Sequence, residues 1–288
     1  MDPLRGYEFL DAGDGRRLER FGERVVDRPA STALQPVRDP GAWEAADLRY
    51  QRHTGWQGER SSEPWTVDLD GLTFELRATD SGQVGLFPEQ VPNWAWLRGA
   101  IAAIPAGASD VLNLFAYTGA ASLVAAGAGA RVAHVDGSRP TVAWARHNAE
   151  LSGLGDRPIR WLVDDATGFV ARETRRGRAY GGLVLDPPTY GHGPGGRPWR
   201  LDEDLDELLG ACLRLARPMP AFVLLTAHTP GFGPERLAAA LAAALSAAVG
   251  RPARGVESGE LGLTARSWVR LPLGSFARWS NPAPVSGR

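Results

Sequence analysis

At 288 residues the chain is long for one domain, taking roughly 150 residues per domain as a soft guide, and it suggests one large domain with an accessory piece. With 43% hydrophobic and 23% charged residues it has the balance of a globular protein, which excludes a disordered or fibrous chain. A net charge of −1 argues against a strongly basic nucleic-acid binder, although a local basic patch can coexist with a neutral total.

The start, MDPLRGYEFLDAGDG, lacks the basic patch and apolar stretch of a signal peptide, and no run of about 18 apolar residues follows. A cytoplasmic protein outside the membrane is therefore expected. From residue 1 to about 85 the pattern is one of short strands and turns: YEFL, RLERF, ERVVDRP and WTVDLDGLTFELRA. The last reads as a hairpin. Val67 and Leu69 alternate with polar residues, Asp70-Gly71 supplies a tight turn, and Leu72, Phe74 and Leu76 resume the alternation. Residues 31 to 64 carry Pro36, Pro40, Gly41, Gly55, Gly58 and Pro64 with little periodicity, so a long loop or lid is expected there.

From Asn93 a helix carrying Trp96, Leu97, Ile101 and Ile104 opens a different texture. Strands are expected at Val111–Phe115, Val132–Val135, Ile159–Val163, Gly182–Leu185 and Phe222–Thr226, with helices near 120–127, 139–152, 166–176 and 202–216 between them. A helix near 234–248 and strands at Glu257–Leu261 and Ser267–Leu271 complete the series. Such alternation means βαβ units and a parallel, doubly wound α/β sheet, with its ligand at the carboxyl ends of the central strands.

The first strand of this series turns through Tyr117-Thr118-Gly119 into a helix, where a glycine lets the backbone approach a ligand and the helix offers unpaired N–H groups. The turn is not G-x-G-x-x-G, because Phe115 and Tyr117 stand where a dinucleotide site would want glycine. The second strand ends at Asp136, close to the spacing at which a carboxylate meets ribose hydroxyls; capping the helix near Arg139 is the plainer role for it. In VDDATGF, Asp165 can accept from an adenine amino group while Asp164 faces solvent, and either can instead cap a helix. LVLDPPTYGHG is the most specific segment: Asp186 at a strand end, a turn stiffened by Pro187 and Pro188, and Tyr190 as a flat surface for a base.

NLFAYTG, VDGS, VDDA and DPPTY, in that order and at similar intervals, resemble the class I S-adenosylmethionine-dependent methyltransferases, and within them the bacterial 23S ribosomal RNA large-subunit methyltransferase family. GQVGLFPEQVPNWAWL looks like the segment that precedes the fold in that family and closes over the cofactor, and the resemblance covers roughly residues 82 to 288. It implies a Rossmann-like seven-stranded sheet in the order three-two-one-four-five-seven-six over residues 86–288, while the strand-and-turn pattern of residues 1–85 reads as a small β-rich accessory domain for substrate recognition. It also implies S-adenosyl-L-methionine as cofactor. Phe115, Tyr117, Thr118 and Gly119 would line its methionine end, Asp136 with Ser138 its ribose, and Asp165 with Ala166 its adenine. Asp186, Pro187, Pro188 and Tyr190 would face the methyl acceptor.

Some relatives methylate carbon 5 of cytosine, which requires a cysteine thiolate to add to the ring. Cys212 is the one cysteine; it excludes an internal disulfide and fits a reducing compartment. It shares the i, i+3, i+4, i+7, i+8 stripe of Leu205, Leu208, Leu209 and Leu213, which buries it in a helix face. The five histidines show no metal-ligand spacing, so no metal is expected. That leaves direct displacement, and DPPTY resembles the form in relatives that methylate a guanine nitrogen, which implies a base nitrogen of RNA as the acceptor. Candidate RNA contacts are Arg172, Arg175, Arg176 and Arg178, and the stretch Arg49, Tyr50, Arg52, His53 and Trp56; a solvated helix end and a loop anchored by its Trp are equally good accounts of them. A small-molecule acceptor is an alternative, favoured by the neutral charge and a Trp-rich lid at 43–65. Another is a noncatalytic RNA-binding protein on the same fold.

Overall fold

The structure, a computed structural model, describes residues 4–59, 62–104, 109–192, 198–216 and 219–281. In chain order the elements are β1 (Tyr7–Gly13), β2 (Arg16–Phe21), β3 (Arg24–Pro29), α1 (Pro40–Glu44), β4 (Leu48–Gln51), β5 (Gly55–Gln57), β6 (Trp65–Leu69) and β7 (Leu72–Leu76). After a short 3-10 turn come α2 (Val91–Ala102), β8 (Asp110–Leu114), α3 (Ala120–Gly127), β9 (Arg131–Asp136), α4 (Arg139–Leu151), β10 (Ile159–Val163) and α5 (Ala166–Arg175). Then follow β11 (Gly182–Leu185), β12 (Tyr190–His192), β13 (Pro198–Arg200), α6 (Leu201–Leu215), β14 (Phe222–Ala227), α7 (Pro234–Val249), β15 (Glu257–Thr264) and β16 (Arg270–Ser280). Two compact units result: Met1–Pro92 with His147–Gly155 and Leu261–Leu273, and Asn93–Arg146 with Asp156–Glu260 and Gly274–Arg288.

In the first unit, β1 to β5 form one sheet in sequence order, and β6 and β7 form a separate hairpin. Asp70 and Gly71 both take positive φ, 55° and 79°, which is the backbone that a two-residue turn matched to strand twist requires. The segment expected to be a long loop is only partly one: it holds α1 and two strands of the sheet, β4 pairing in parallel with β3 and antiparallel with β5, and Trp43, Leu48 and Tyr50 are buried. The elements are too short for periodicity to register, and residues 60 and 61 of that segment lie outside the described residues.

This unit buries charge as well as hydrocarbon. Glu19 accepts from Arg28 Nε at 2.6 Å and from the Tyr7 hydroxyl at 2.8 Å, and Arg17 Nε lies 3.3 Å from its Oε2. Burial alone would raise the Glu19 carboxyl, but Arg17 and Arg28 outweigh it and hold the pKa below the usual carboxylate range. A carboxylate shifted down contributes stability above its unfolded value of about 4.3, lost as the pH falls through the folded one. We expect Glu19→Gln, which leaves two buried arginines short of their partner, to cost about 3–5 kcal/mol in urea unfolding at neutral pH. That deficit should shrink as the wild type is acidified below about pH 4.

Most of the seven-stranded sheet belongs to the second unit; its order is β10-β9-β8-β11-β14-β16-β15, which is the three-two-one-four-five-seven-six order implied by the resemblance. β10, β9, β8, β11 and β14 are parallel neighbours, and β16 runs antiparallel to β14 from Phe222↔Ser280 to Ala227↔Ser275. The last strand therefore differs from the one expected at Ser267–Leu271. Ser267 and Trp268 lie in a turn closed by Ala265 N to Val269 O at 2.8 Å, and the strand is the eleven-residue β16. Pro272 and Gly274 interrupt its alternation and hide it in the sequence. α5, α6 and α7 bury their apolar stripes against the strands, Leu205, Leu208, Leu209, Cys212 and Leu213 of α6 among them.

Candidate active site

At the end of β8 the chain turns in a conformation that side chains resist. Phe115 and Tyr117 have φ of 55° and 49°, and Gly119 has φ of 95°. Bulky residues held there cost about 1–3 kcal/mol each, so the surroundings must impose the geometry. The imposing bonds are Ala116 N to Val135 O at 3.1 Å and Tyr117 N to Asp136 Oδ2 at 2.9 Å, both to the end of β9. Gly119 is required twice over: a Cβ would sit 3.0 Å from that of Ala145 on α4, as well as forcing a side chain into its left-handed backbone. Beneath the turn, Asn113 Nδ2 donates to Ser122 Oγ at 2.9 Å, and Ser122 Oγ lies 3.0 Å from His134 Nδ1. Burial lowers the His134 pKa to about 3, so this ring stays neutral at physiological pH.

Asp136 does not cap α4. Its Oδ1 accepts from Ser138 N at 2.9 Å and its Oδ2 from Tyr117 N, while Ser138 Oγ takes the capping role by accepting from Thr141 N at 3.3 Å. An ionised carboxylate offers about four acceptor positions, so two remain. Asp165 caps α5 through Oδ1, accepting from Gly168 N and Thr167 Oγ1, both at 2.7 Å; among the described residues Oδ2 accepts nothing. Ala166, the first residue of α5, is buried, and Asp164 is ion-paired with Arg172.

The Asp186–Tyr190 segment leaves β11 and is braced from several elements. Thr226 Oγ1 at the end of β14 donates to Asp186 Oδ1 at 2.7 Å, and His228 Nε2 lies 3.7 Å from the same oxygen. Thr189 and Thr229 share a hydroxyl hydrogen bond of 2.7 Å. Trp199 Nε1 donates to Pro188 O at 2.8 Å, and its ring packs on Phe115 with centroids 5.5 Å apart. Tyr190 opens β12 with 69% of its surface exposed, and the Arg200 guanidinium lies 5.9 Å from its ring centre. Sequence reasoning missed Asn113, Trp199, Arg200, Thr226 and His228. Trp199 and Arg200 have a local signal, the strand β13 that pairs with β12, but it begins eight residues past Tyr190 and is three residues long.

Neither arginine run is a single surface. Arg172 is committed to Asp164 and Arg176 to Glu173, while Arg175 and Arg178 are exposed. In the other stretch Arg49 binds Asp27, Tyr50 OH donates to Asp80 O, and Trp56 Nε1 donates to Thr79 O, so these three are structural anchors.

The family profile described as S-adenosylmethionine-dependent methyltransferase matches residues 16–246. The chain belongs to that family. Its match begins at Arg16, well before the residue 82 from which the motifs suggest kinship. A SAM-dependent methyltransferase from Agrobacterium tumefaciens has the same fold, with a TM-score of 0.87, 35% identity, and coverage of 96% of this chain and 90% of that one. Ribosomal RNA large subunit methyltransferase I of Shewanella denitrificans is 26% identical over 65% of this chain and 52% of its own length. Ribosomal RNA large subunit methyltransferase K/L of Magnetococcus marinus is 32% identical over 53% of this chain and 20% of its own. The chain thus spans about half the length of the first of these curated relatives and a fifth of the second.

As a member of this family the protein is a methyltransferase that uses S-adenosylmethionine. Its one thiol lies in the core. Cys212 is fully buried on α6, and desolvation pushes its pKa up to about 12, so it is a neutral core side chain at working pH. We expect a disulfide-exchange reagent to titrate no thiol in the native protein and one after denaturation, and Cys212→Ala to keep at least half of the wild-type transfer rate. Among the described residues no helix is long and apolar enough to cross a membrane.

Proposed function

We propose that this methyltransferase transfers the methyl group to a base nitrogen in RNA of the large ribosomal subunit, by direct displacement and in the cytoplasm. The observation that carries the reading is the Asp186–Tyr190 ledge at the end of β11, an oriented carboxylate beside a stiff turn and an exposed aromatic ring, in a chain with no reactive thiol. The relatives' names supply the RNA. The small-molecule alternative loses part of its support, because Leu48–Gln51 and Gly55–Gln57 of the segment that suggested a lid are strands of a sheet.

The residues fit the cofactor by their chemistry. Phe115, Tyr117, Thr118 and Gly119 form a wall for its methionine end, and the two remaining acceptor positions of Asp136, set by the Ser138 and Tyr117 amides, suit a ribose diol. The open Oδ2 of Asp165, beside Ala166, suits the adenine amino group. When bound, S-adenosylmethionine supplies a methyl group already activated by its sulfonium. The chain's part is alignment and proton removal. Tyr190 stacks the flipped-out base, and Pro187 O, which accepts nothing among the described residues, orients its edge. Asp186, with Oδ1 held by Thr226, keeps Oδ2 for the amino N–H and accepts the proton that the methylated nitrogen gives up. Residues 1–85 serve RNA recognition and residues 86–288 the transfer.

We expect Asp186→Ala to lower the transfer rate about a hundredfold or more with cofactor affinity unchanged. Tyr190→Ala should raise the KM for RNA by about tenfold or more, from the loss of roughly 1–3 kcal/mol of stacking. Asp136→Ala should instead weaken cofactor binding by about 1.5–3 kcal/mol in calorimetry. Labelled-methyl transfer to ribosomal RNA, followed by digestion to nucleosides and mass analysis, tests the whole reading; a methylated ring carbon, or a labelled metabolite in place of RNA, would overturn it.

A further inference from the structure

The edge of the larger sheet opposite the candidate active site holds a second feature that the transfer reaction leaves unused. A cavity of about 460 Å³ opens at the amino-terminal ends of β8, β9, β10 and β11, lined by Arg131, Arg157, Arg160 and Arg178 against a single acid, Asp110. All of these belong to the second unit. Arg131 and Asp110 form a bidentate pair at 2.6 and 2.7 Å that stiffens one wall. The opposite wall rests on Glu173 of α5, whose carboxylate is almost wholly buried and is shared by Arg160 at 3.6 Å, Arg176 at 3.0 Å and the Tyr180 hydroxyl at 2.7 Å. Burial works to raise the Glu173 pKa, but the Tyr180 and Arg176 hydrogen bonds and the nearby Arg160 bring it down, so the carboxylate stays charged and the two arginines stay placed.

Two cations remain. The guanidinium groups of Arg157 and Arg178 are exposed and make no hydrogen bond or ion pair to any described residue. Arginines in the last turn of a helix compensate its dipole, and Arg172 and Arg175 of α5 are so placed. That account does not reach Arg157, which sits in the loop before β10, or Arg178, which lies beyond the Gly177 turn. Unpaired guanidinium groups on a braced wall, within a cleft lined by four arginines and one acid, are suited to phosphate oxygens.

We propose that this cleft is an anchoring site for RNA backbone phosphates, separate from the site that receives the target base. The proposal rests on the RNA reading above. β8, β9 and β10 are five or six residues long, so about 17 Å or more of sheet separates the two edges. The anchored phosphates therefore belong to a part of the RNA remote from the methylated nucleotide, and the contact should raise affinity without sequence preference.

The test uses deproteinised 23S ribosomal RNA in filter binding over a salt series, with the full chain and two double variants: Arg157→Gln with Arg178→Gln, and Arg157→Lys with Arg178→Lys. Removing two phosphate contacts should flatten the plot of log affinity against log salt by about 1.5, so a roughly tenfold deficit at about 50 mM salt should nearly close by about 200 mM. The lysine variant, which keeps the charge, should retain most of the slope, and calorimetry with S-adenosylmethionine should give the wild-type affinity for both. A glutamine variant with the wild-type slope overturns the anchoring site and leaves the RNA reading standing. A lysine variant as weak as the glutamine one also overturns it. Wild-type protein that binds the RNA at no salt concentration overturns both.

Discussion

The Asp136 carboxylate, by accepting the amide of Tyr117, ties the end of β9 to a turn after β8 that aromatic residues do not adopt unaided. Two left-handed aromatic residues cost about 1–3 kcal/mol each, and the Asp136 and Val135 acceptors with the Trp199 ring offset that cost. The backbone follows a glycine-like path while presenting Phe115 and Tyr117 as rings. Below it, the Asn113–Ser122–His134 chain joins β8, α3 and β9, so the floor of the turn does not depend on protonation across ordinary pH. The other groups at this edge are useful only because that floor is fixed, since a ligand held by a shifting turn would be misaligned with the Asp186 ledge.

The parallel part of the larger sheet was legible because β8, β9, β11 and β14 are short apolar runs buried along most of their length, with helices between the strands. The same regularity located Gly119, Asp136, Asp165 and Asp186 at strand ends. What stayed hidden has local causes. β4 and β5 are too short for a period to form, and β16 carries Pro272 and Gly274 within its length. Thr226 and His228 reach Asp186 only because β14 lies beside β11, a pairing that no residue spacing announces. The choice between capping and ligand binding at Asp136 also needed coordinates: Ser138 relieves it of the cap, whereas Asp165 keeps its cap and has one oxygen to spare.

The first unit follows a different logic. Its core accepts Arg17, Glu19 and Arg28 alongside Phe21 and Leu18, an arrangement that burial energy alone would not select. Such a cluster tolerates few alternatives in partner or register, because any slip leaves a charge unmatched. Small sheets with short edge strands gain definition from that intolerance.

Trp199 touches both halves of the larger unit's candidate site, its ring against Phe115 and its indole N–H on the Pro188 carbonyl. An order imposed on one side is thereby felt on the other. One indole thus fixes the spacing between the turn that follows β8 and the turn that follows β11, and a change of side chain at position 199 would loosen both at once.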